Sequence, residues 1–162
     1  MLMGCVCTDS WIDCNNMVTV KRSALVDYPA HVLYDLVADI GAYPKFIPWC
    51  PAASVDVLDP TTTEATLHIN YRGIRQQFST RNHNQPGRQI DMVLKSGPFR
   101  HLKGSWHFDA LAPDASKVSL HLEYQFANGL LDRLIGPVFD HIANTFVDAF
   151  VRRAQDLYGK VA

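Results

Sequence analysis

Between Ala53 and Asn128 the chain alternates apolar and polar residues with a period of two, and from Leu130 to Tyr158 the period lengthens to that of a helix. That change of period restricts what the chain can fold into, because side chains alternate across a strand but recur every 3.6 residues around a helix. Val55 and Val57 mark one strand. Ala65, Leu67, Ile69 and Tyr71 stand opposite Glu64, Thr66, His68 and Asn70 in the next. Ile74, Gln76, Phe78 and Thr80 alternate with Arg75, Gln77, Ser79 and Arg81, and Pro86-Gly87 supplies a turn. Ile90, Met92 and Leu94 share a face; after Gly97-Pro98, so do Leu102, Gly104, Trp106, Phe108 and Ala110. Val118, Leu120, Leu122, Tyr124 and Phe126 alternate with Lys117, Ser119, His121, Glu123 and Gln125 in the last strand. Each strand is apolar on one side only, as in an antiparallel sheet with one wet face.

The residues before Ala53 add a strand and two short helical pieces. Val18 to Asp27 alternates, with Val18, Val20, Ala24 and Val26 on one face. Tyr28-Pro29 then opens a helix from Ala30 to Ile40, ended by Gly41. Tyr43 to Pro51 carries three prolines and three aromatic rings, so it forms a stiff loop or a short second helix. At the other end Leu131, Ile135, Val138, Ile142, Phe146, Ala149, Phe150 and Leu157 make a helical stripe that covers the sheet's apolar face. Gly136-Pro137 divides it into a leading turn and a main helix from Pro137 to Tyr158, roughly 33 Å long. The expected class is α+β: a curved antiparallel sheet of about seven strands wrapped on a long C-terminal helix, with two short helices after the first strand. Residues 1–16 show neither period and read as an unstructured leader behind a misassigned start, with a single domain over 17–162.

Composition excludes several functions. At 48% hydrophobic and 19% charged residues the chain is not disordered, and its 162 residues can bury about two-thirds of the unfolded surface. The longest run without Asp, Glu, Lys or Arg, Phe46 to Val55, is half what a spanning helix requires. With two acids and no base in the first twenty residues there is no secretory signal. A cytoplasmic location with reduced thiols follows. Cys5, Cys7, Cys14 and Cys50 lack paired zinc spacing and are read as incidental thiols, with no metal. Motifs for dinucleotides, nucleoside triphosphates, zinc proteolysis and acyl transfer are absent. His68, His107 and His121 fall on polar strand faces, and Asp35 and Asp39 on the polar face of the first helix, where solvation accounts for them.

Two features invite a function. Phe46, Trp49, Tyr71, Phe78, Trp106, Phe108, Phe126, Phe139 and Phe146, with Met92 and Leu94, would line a gap between sheet and helix of roughly 300 to 1,000 Å³, fit for an uncharged apolar ligand. Charge is uneven as well. Residues 65–108 hold Arg72, Arg75, Arg81, Arg88, Lys95, Arg100 and Lys103 against Asp91 alone, +6 in a chain whose net charge is -1. Such a segment suits RNA or an anionic surface, or equally the solubility of exposed strands.

Three stretches carry a family likeness: Asp27-Tyr28-Pro29-Ala30 with Tyr34 to Asp39, Tyr43-Pro44-Lys45-Phe46-Ile47-Pro48-Trp49-Cys50, and Gly97-Pro98-Phe99 through Trp106-His107-Phe108. From Met17 to Tyr158 the chain resembles the START-like coenzyme-Q-binding proteins and their bacterial relatives, the ribosome association toxin (RatA) group, in the polyketide cyclase-like superfamily. The resemblance implies the helix-grip, Bet v 1-like fold, with no cofactor and no catalysis. It further implies ubiquinone, or a similar isoprenoid lipid, bound in the cavity by the eleven residues just named, in support of respiratory electron transport. On that reading the protein is a monomer touching the cytoplasmic face of the inner membrane. The alternative implied by the toxin branch is binding of the large ribosomal subunit, blocking subunit association, through Arg72, Arg75, Arg81, Arg88, Arg100 and Lys103. A third, a cyclase- or hydrolase-like enzyme, rests on shared fold alone.

Overall fold

A computed structural model describes residues 17–159. In chain order it contains strand β1 (Val18–Val26), helix α1 (Ala30–Ala38), a 3-10 turn (Ile40–Lys45), and strands β2 (Ala53–Asp59), β3 (Thr62–Tyr71), β4 (Ile74–Gln85), β5 (Gln89–Ser96), β6 (Phe99–Ala112) and β7 (Ala115–Phe126). Helix α2 (Gly129–Tyr158) ends it. The strands form one antiparallel sheet in the order β1-β7-β6-β5-β4-β3-β2, so the first strand pairs with the last and Val18 lies opposite Tyr124. The helix-grip architecture expected from the change of period is the one found.

The inward rows are those the alternation marked. Leu120, Leu122, Trp106, Phe108, Ile90, Ala65, Leu67 and Ile69 are buried, and they meet Ile135, Val138, Phe139, Ile142, Ala143, Val147 and Phe150 of α2. Close approach fixes one glycine in the turn between β5 and β6. At Gly97 φ is 144°, and an added Cβ would lie 2.6 Å from the Phe78 Cβ, so only glycine fits there. Helix α2 starts where Asn128 accepts the Leu131 amide hydrogen at 2.9 Å, which satisfies one of the free N–H groups of the first turn.

Four expectations are corrected. Helix α2 is one continuous helix of 30 residues, with Pro137 inside it. Proline deprives the Arg133 carbonyl of its helical partner, but Pro137 and Arg133 are both exposed, so the loss falls on the solvent side of the helix. Helix α1 stops at Ala38, before Gly41, because the chain tightens into the 3-10 turn at Ile40. Strand β2 is exposed nearly throughout, with Val57 at 73%, since it is an edge strand lying beyond the cover of α2. Leu157, expected in the apolar stripe, is exposed near the helix end, while Ala154 is buried. The leader at 1–16, with Cys5, Cys7 and Cys14, lies outside the described residues.

Candidate functional site

Between the concave face of the sheet and α2 lies a cavity of about 190 Å³. It is smaller than the 300 Å³ expected at least. Of the eleven residues proposed as its lining, Trp49, Phe78, Met92, Trp106, Phe139 and Phe146 do line it. The other five pack elsewhere. Phe46 meets Tyr43 and Phe150 with the Arg153 guanidinium over its ring. Tyr71 stacks on His141, Phe108 is buried against Trp106 and Tyr34, Phe126 stacks on Phe99, and Leu94 packs at the margin of the core. Their inward orientation was legible, but sharing a face does not place a ring beside a void.

The aromatic wall is held by mutual ring contacts. Phe146 has ring centroids of Tyr43, Trp49, Trp106 and Phe150 at 6.0, 5.7, 5.6 and 5.2 Å, mostly edge to face or tilted, the favoured arrangement for aromatic quadrupoles. Tyr43 donates its hydroxyl to the Val37 carbonyl at 2.5 Å. Burial, with the Cys50 thiol and Asp39 nearby, holds that phenol far above its usual range, so it stays neutral. No Asp, Glu, His, Lys or Arg lines the cavity.

One side of the cavity is polar, and of its residues alternation marks only Thr80 as facing inward. Along β4 the inward row changes from Ile74 and Phe78 to Thr80, Asn82 and Asn84. Thr80 and Asn82 are 6% and 3% exposed. Thr80 donates its hydroxyl to Asn82 Oδ1 at 2.7 Å, and Asn84 Nδ2 donates to Thr63 Oγ1 on β3 at 3.2 Å. Residues 79–85 are polar on both faces, so the alternation fades where these side chains turn inward. The pairing of Asn82 with Met92, and its burial between the exposed Arg81 and His83, show which way it points.

The proposed basic contact residues do not form one patch. Arg81 is bound at 2.7 Å by Glu64, just outside the basic segment, which also holds Lys95 at 2.6 Å. These two hydrogen-bonded cations pull the Glu64 carboxyl below its ordinary value. Lys103 stands opposite Glu123 in the strand register, and Arg100 reaches the Ala127 carbonyl at 3.1 Å. Arg88 lies at the β4–β5 turn beside Gln85, roughly 33 Å along the strand from Arg75. Arg72 and Arg75 remain together at the β3–β4 hairpin. Arg72 adopts a positive φ of 52° and lies 5.2 Å over the Tyr71 ring. Beside them an open groove is bordered by Pro51, His68, Ile69, Asn70, Arg75, Gln76 and Gln77, with no carboxylate.

Among the described residues no group of three or more His, Cys, Asp or Glu side chains could hold a metal. Cys50 is buried and donates its thiol to the Ala52 carbonyl at 3.4 Å. No described helix is long and apolar enough to cross a membrane.

Comparison with known proteins gives a consistent result. Residues 26–151 match the polyketide cyclase / dehydrase and lipid transport family. The chain is 44% identical to the ribosome association toxin RatA of Pseudomonas aeruginosa, over 86% of this chain and 97% of that protein. It is 25% identical to the mitochondrial coenzyme Q-binding protein COQ10 homolog B of Xenopus laevis, over 88% of this chain and 60% of that protein. Among solved structures, the Zhui aromatase/cyclase of a Streptomyces species superposes with a TM-score of 0.71 at 18% identity, covering 86% of this chain and 94% of that one. At that identity the likeness shows the fold alone.

Proposed function

This chain belongs to the polyketide cyclase / dehydrase and lipid transport family, and on that premise we propose that it is a ribosome-associating protein that binds the large subunit and blocks subunit association. The observation that carries this reading is the 44% identity to a ribosome association toxin across nearly that protein's whole length. It displaces ubiquinone binding as the leading function, since the coenzyme Q-binding relative is far more distant. The cavity contributes no acid-base pair, which favours association over catalysis. For the contact we choose the hairpin, where Arg75 borders an acid-free groove and the exposed Arg72 stands three residues away at the turn. Phosphate contacts there would release counterions and make binding fall with salt.

Co-sedimentation with purified large subunits across a salt series tests it. The wild type is expected to pellet at low salt. Reversing Arg72 and Arg75 to Glu should release it and lower the salt slope by about one per cation removed, while Arg88→Glu should not. Absence from the large-subunit pellet at low salt, or a double reversal without effect, overturns the reading.

A second reading is favoured by the cavity itself. We infer that it holds a small uncharged guest, ubiquinone's head group being the candidate suggested by the coenzyme Q-binding relative. A volume of about 190 Å³ equals about six waters at about 30 Å³ each, room for a substituted ring with any long tail outside. This reading places the protein in the cytoplasm, reaching the inner membrane surface to exchange its guest.

A further inference from the structure

The polar side of the cavity is built in a way that apolar packing does not require. Asn82 is 3% exposed, yet its amide nitrogen makes no hydrogen bond among the described residues. It is not sealed in either, since among the described residues the one fully enclosed side-chain nitrogen or oxygen without a hydrogen-bond partner is His101 Nε2. The Asn82 amide therefore opens onto the cavity it lines. Because Thr80 donates to Oδ1, the NH2 end of the amide faces inward. Further out, the part-exposed Thr63 and Asn84 engage each other and leave the Asn84 carbonyl and the Thr63 hydroxyl hydrogen for a further partner. A buried donor without an acceptor carries a desolvation cost, and a ligand that supplies the acceptor removes it. A charged ligand would lose its own hydration with no counter-charge inside.

We propose that this polar strip is the recognition end of the cavity: it selects an uncharged ligand bearing a carbonyl, whose oxygen accepts from Asn82 Nδ2 while its apolar body lies against Trp106 and Phe146. The proposal rests on the second reading above, that the cavity takes a guest, and adds which atom of the protein chooses it. Quinones and aliphatic ketones share this chemistry.

Three compact probes test it by calorimetric titration: duroquinone, camphor, and durene, the hydrocarbon that keeps duroquinone's ring and methyl groups but lacks its oxygens. The wild type is expected to bind duroquinone or camphor about three- to tenfold more tightly than durene, the worth of one net hydrogen bond. Whichever carbonyl compound binds better identifies the source. Asn82→Leu, close in volume, should abolish the preference while durene binding is kept. Should that variant not fold, the wild type still decides, because the carbonyl stretch of the bound probe should shift to lower frequency than in hydrocarbon solvent. Durene binding as tightly as duroquinone and camphor, or an unshifted stretch, overturns the proposal while leaving an occupied cavity. Failure of all three probes to bind overturns the cavity reading with it. Co-sedimentation of Asn82→Leu with large subunits reports on ribosome association separately.

Discussion

Replacing Phe146 by Ala probes whether the aromatic wall is a load on the fold or only a lining. The ring stands among Tyr43, Trp49, Trp106 and Phe150, all within 6.0 Å between centroids, and the cavity lies on its remaining side. Truncation removes both the transfer free energy of the ring and its contacts with four neighbours, which can relax little because they pack on one another. The usual cost of a core Phe→Ala change is about 3–5 kcal/mol. Phe146 is only partly buried, which puts the expectation at the lower end, about 3 kcal/mol of a total near 5–15 kcal/mol. At about 2–4 °C per kcal/mol for a domain this large, the midpoint of thermal unfolding should fall by about 6–12 °C. Urea unfolding followed by tryptophan emission measures the loss directly, and a lower midpoint at unchanged slope would assign it to stability. The enlarged void should also accept benzene, which would restore stability to the variant by mass action more than to the wild type. A loss below about 1 kcal/mol, with no benzene effect, would refute the picture of a close-packed wall backed by a void.

Two further perturbations test other parts of the fold. Gly97→Ala forces a side chain into the 2.6 Å approach to Phe78 at a φ of 144°; a loss of more than about 1–3 kcal/mol is expected in the same urea assay, and a neutral change would contradict the packing of that turn. Glu64, held by Lys95 and Arg81, has its carboxyl pulled below the ordinary value near 4.3. Because the folded value is the lower one, the carboxylate stabilises the fold above about pH 4.3 and this contribution disappears as pH falls through the depressed value. Glu64→Gln should therefore flatten stability against pH in that acid window, and a profile identical to the wild type would remove the assignment.

Much of the fold was written in the chain because the two periods differ so plainly. Val118 to Phe126 and Leu102 to Ala110 alternate without interruption, and their inward faces lie where the pattern put them except at Ala110, which is exposed. What failed did so for identifiable reasons. Pro137 reads as a break, but a proline on the solvent side can stay inside a helix held by packing on both sides of it. Val55 and Val57 alternate correctly yet remain exposed, since periodicity gives a face and not what covers it. The cavity was half legible. Aromatic residues announce themselves, whereas Thr80, Asn82 and Asn84 sit in a run that is polar on both sides. The basic residues illustrate the converse: counted along the chain they form a cluster, but strand register sets Glu64 against Arg81 and Glu123 against Lys103.

The pairing of β1 with β7 has a bearing on how the molecule is made. Val18 and Tyr124 are partners more than a hundred residues apart, so the first strand to be synthesised is the last able to close the sheet. Bringing such distant segments together costs loop entropy before any contact repays it, which slows folding. At about 5–20 residues per second, β1 waits about 5–20 seconds for β7 to be made. During that interval Val20 and Val26, buried in the finished domain, have no sheet to join. The nascent chain should therefore remain protease-sensitive at its β1 end until β7 has cleared the exit tunnel, and become resistant in a single late step.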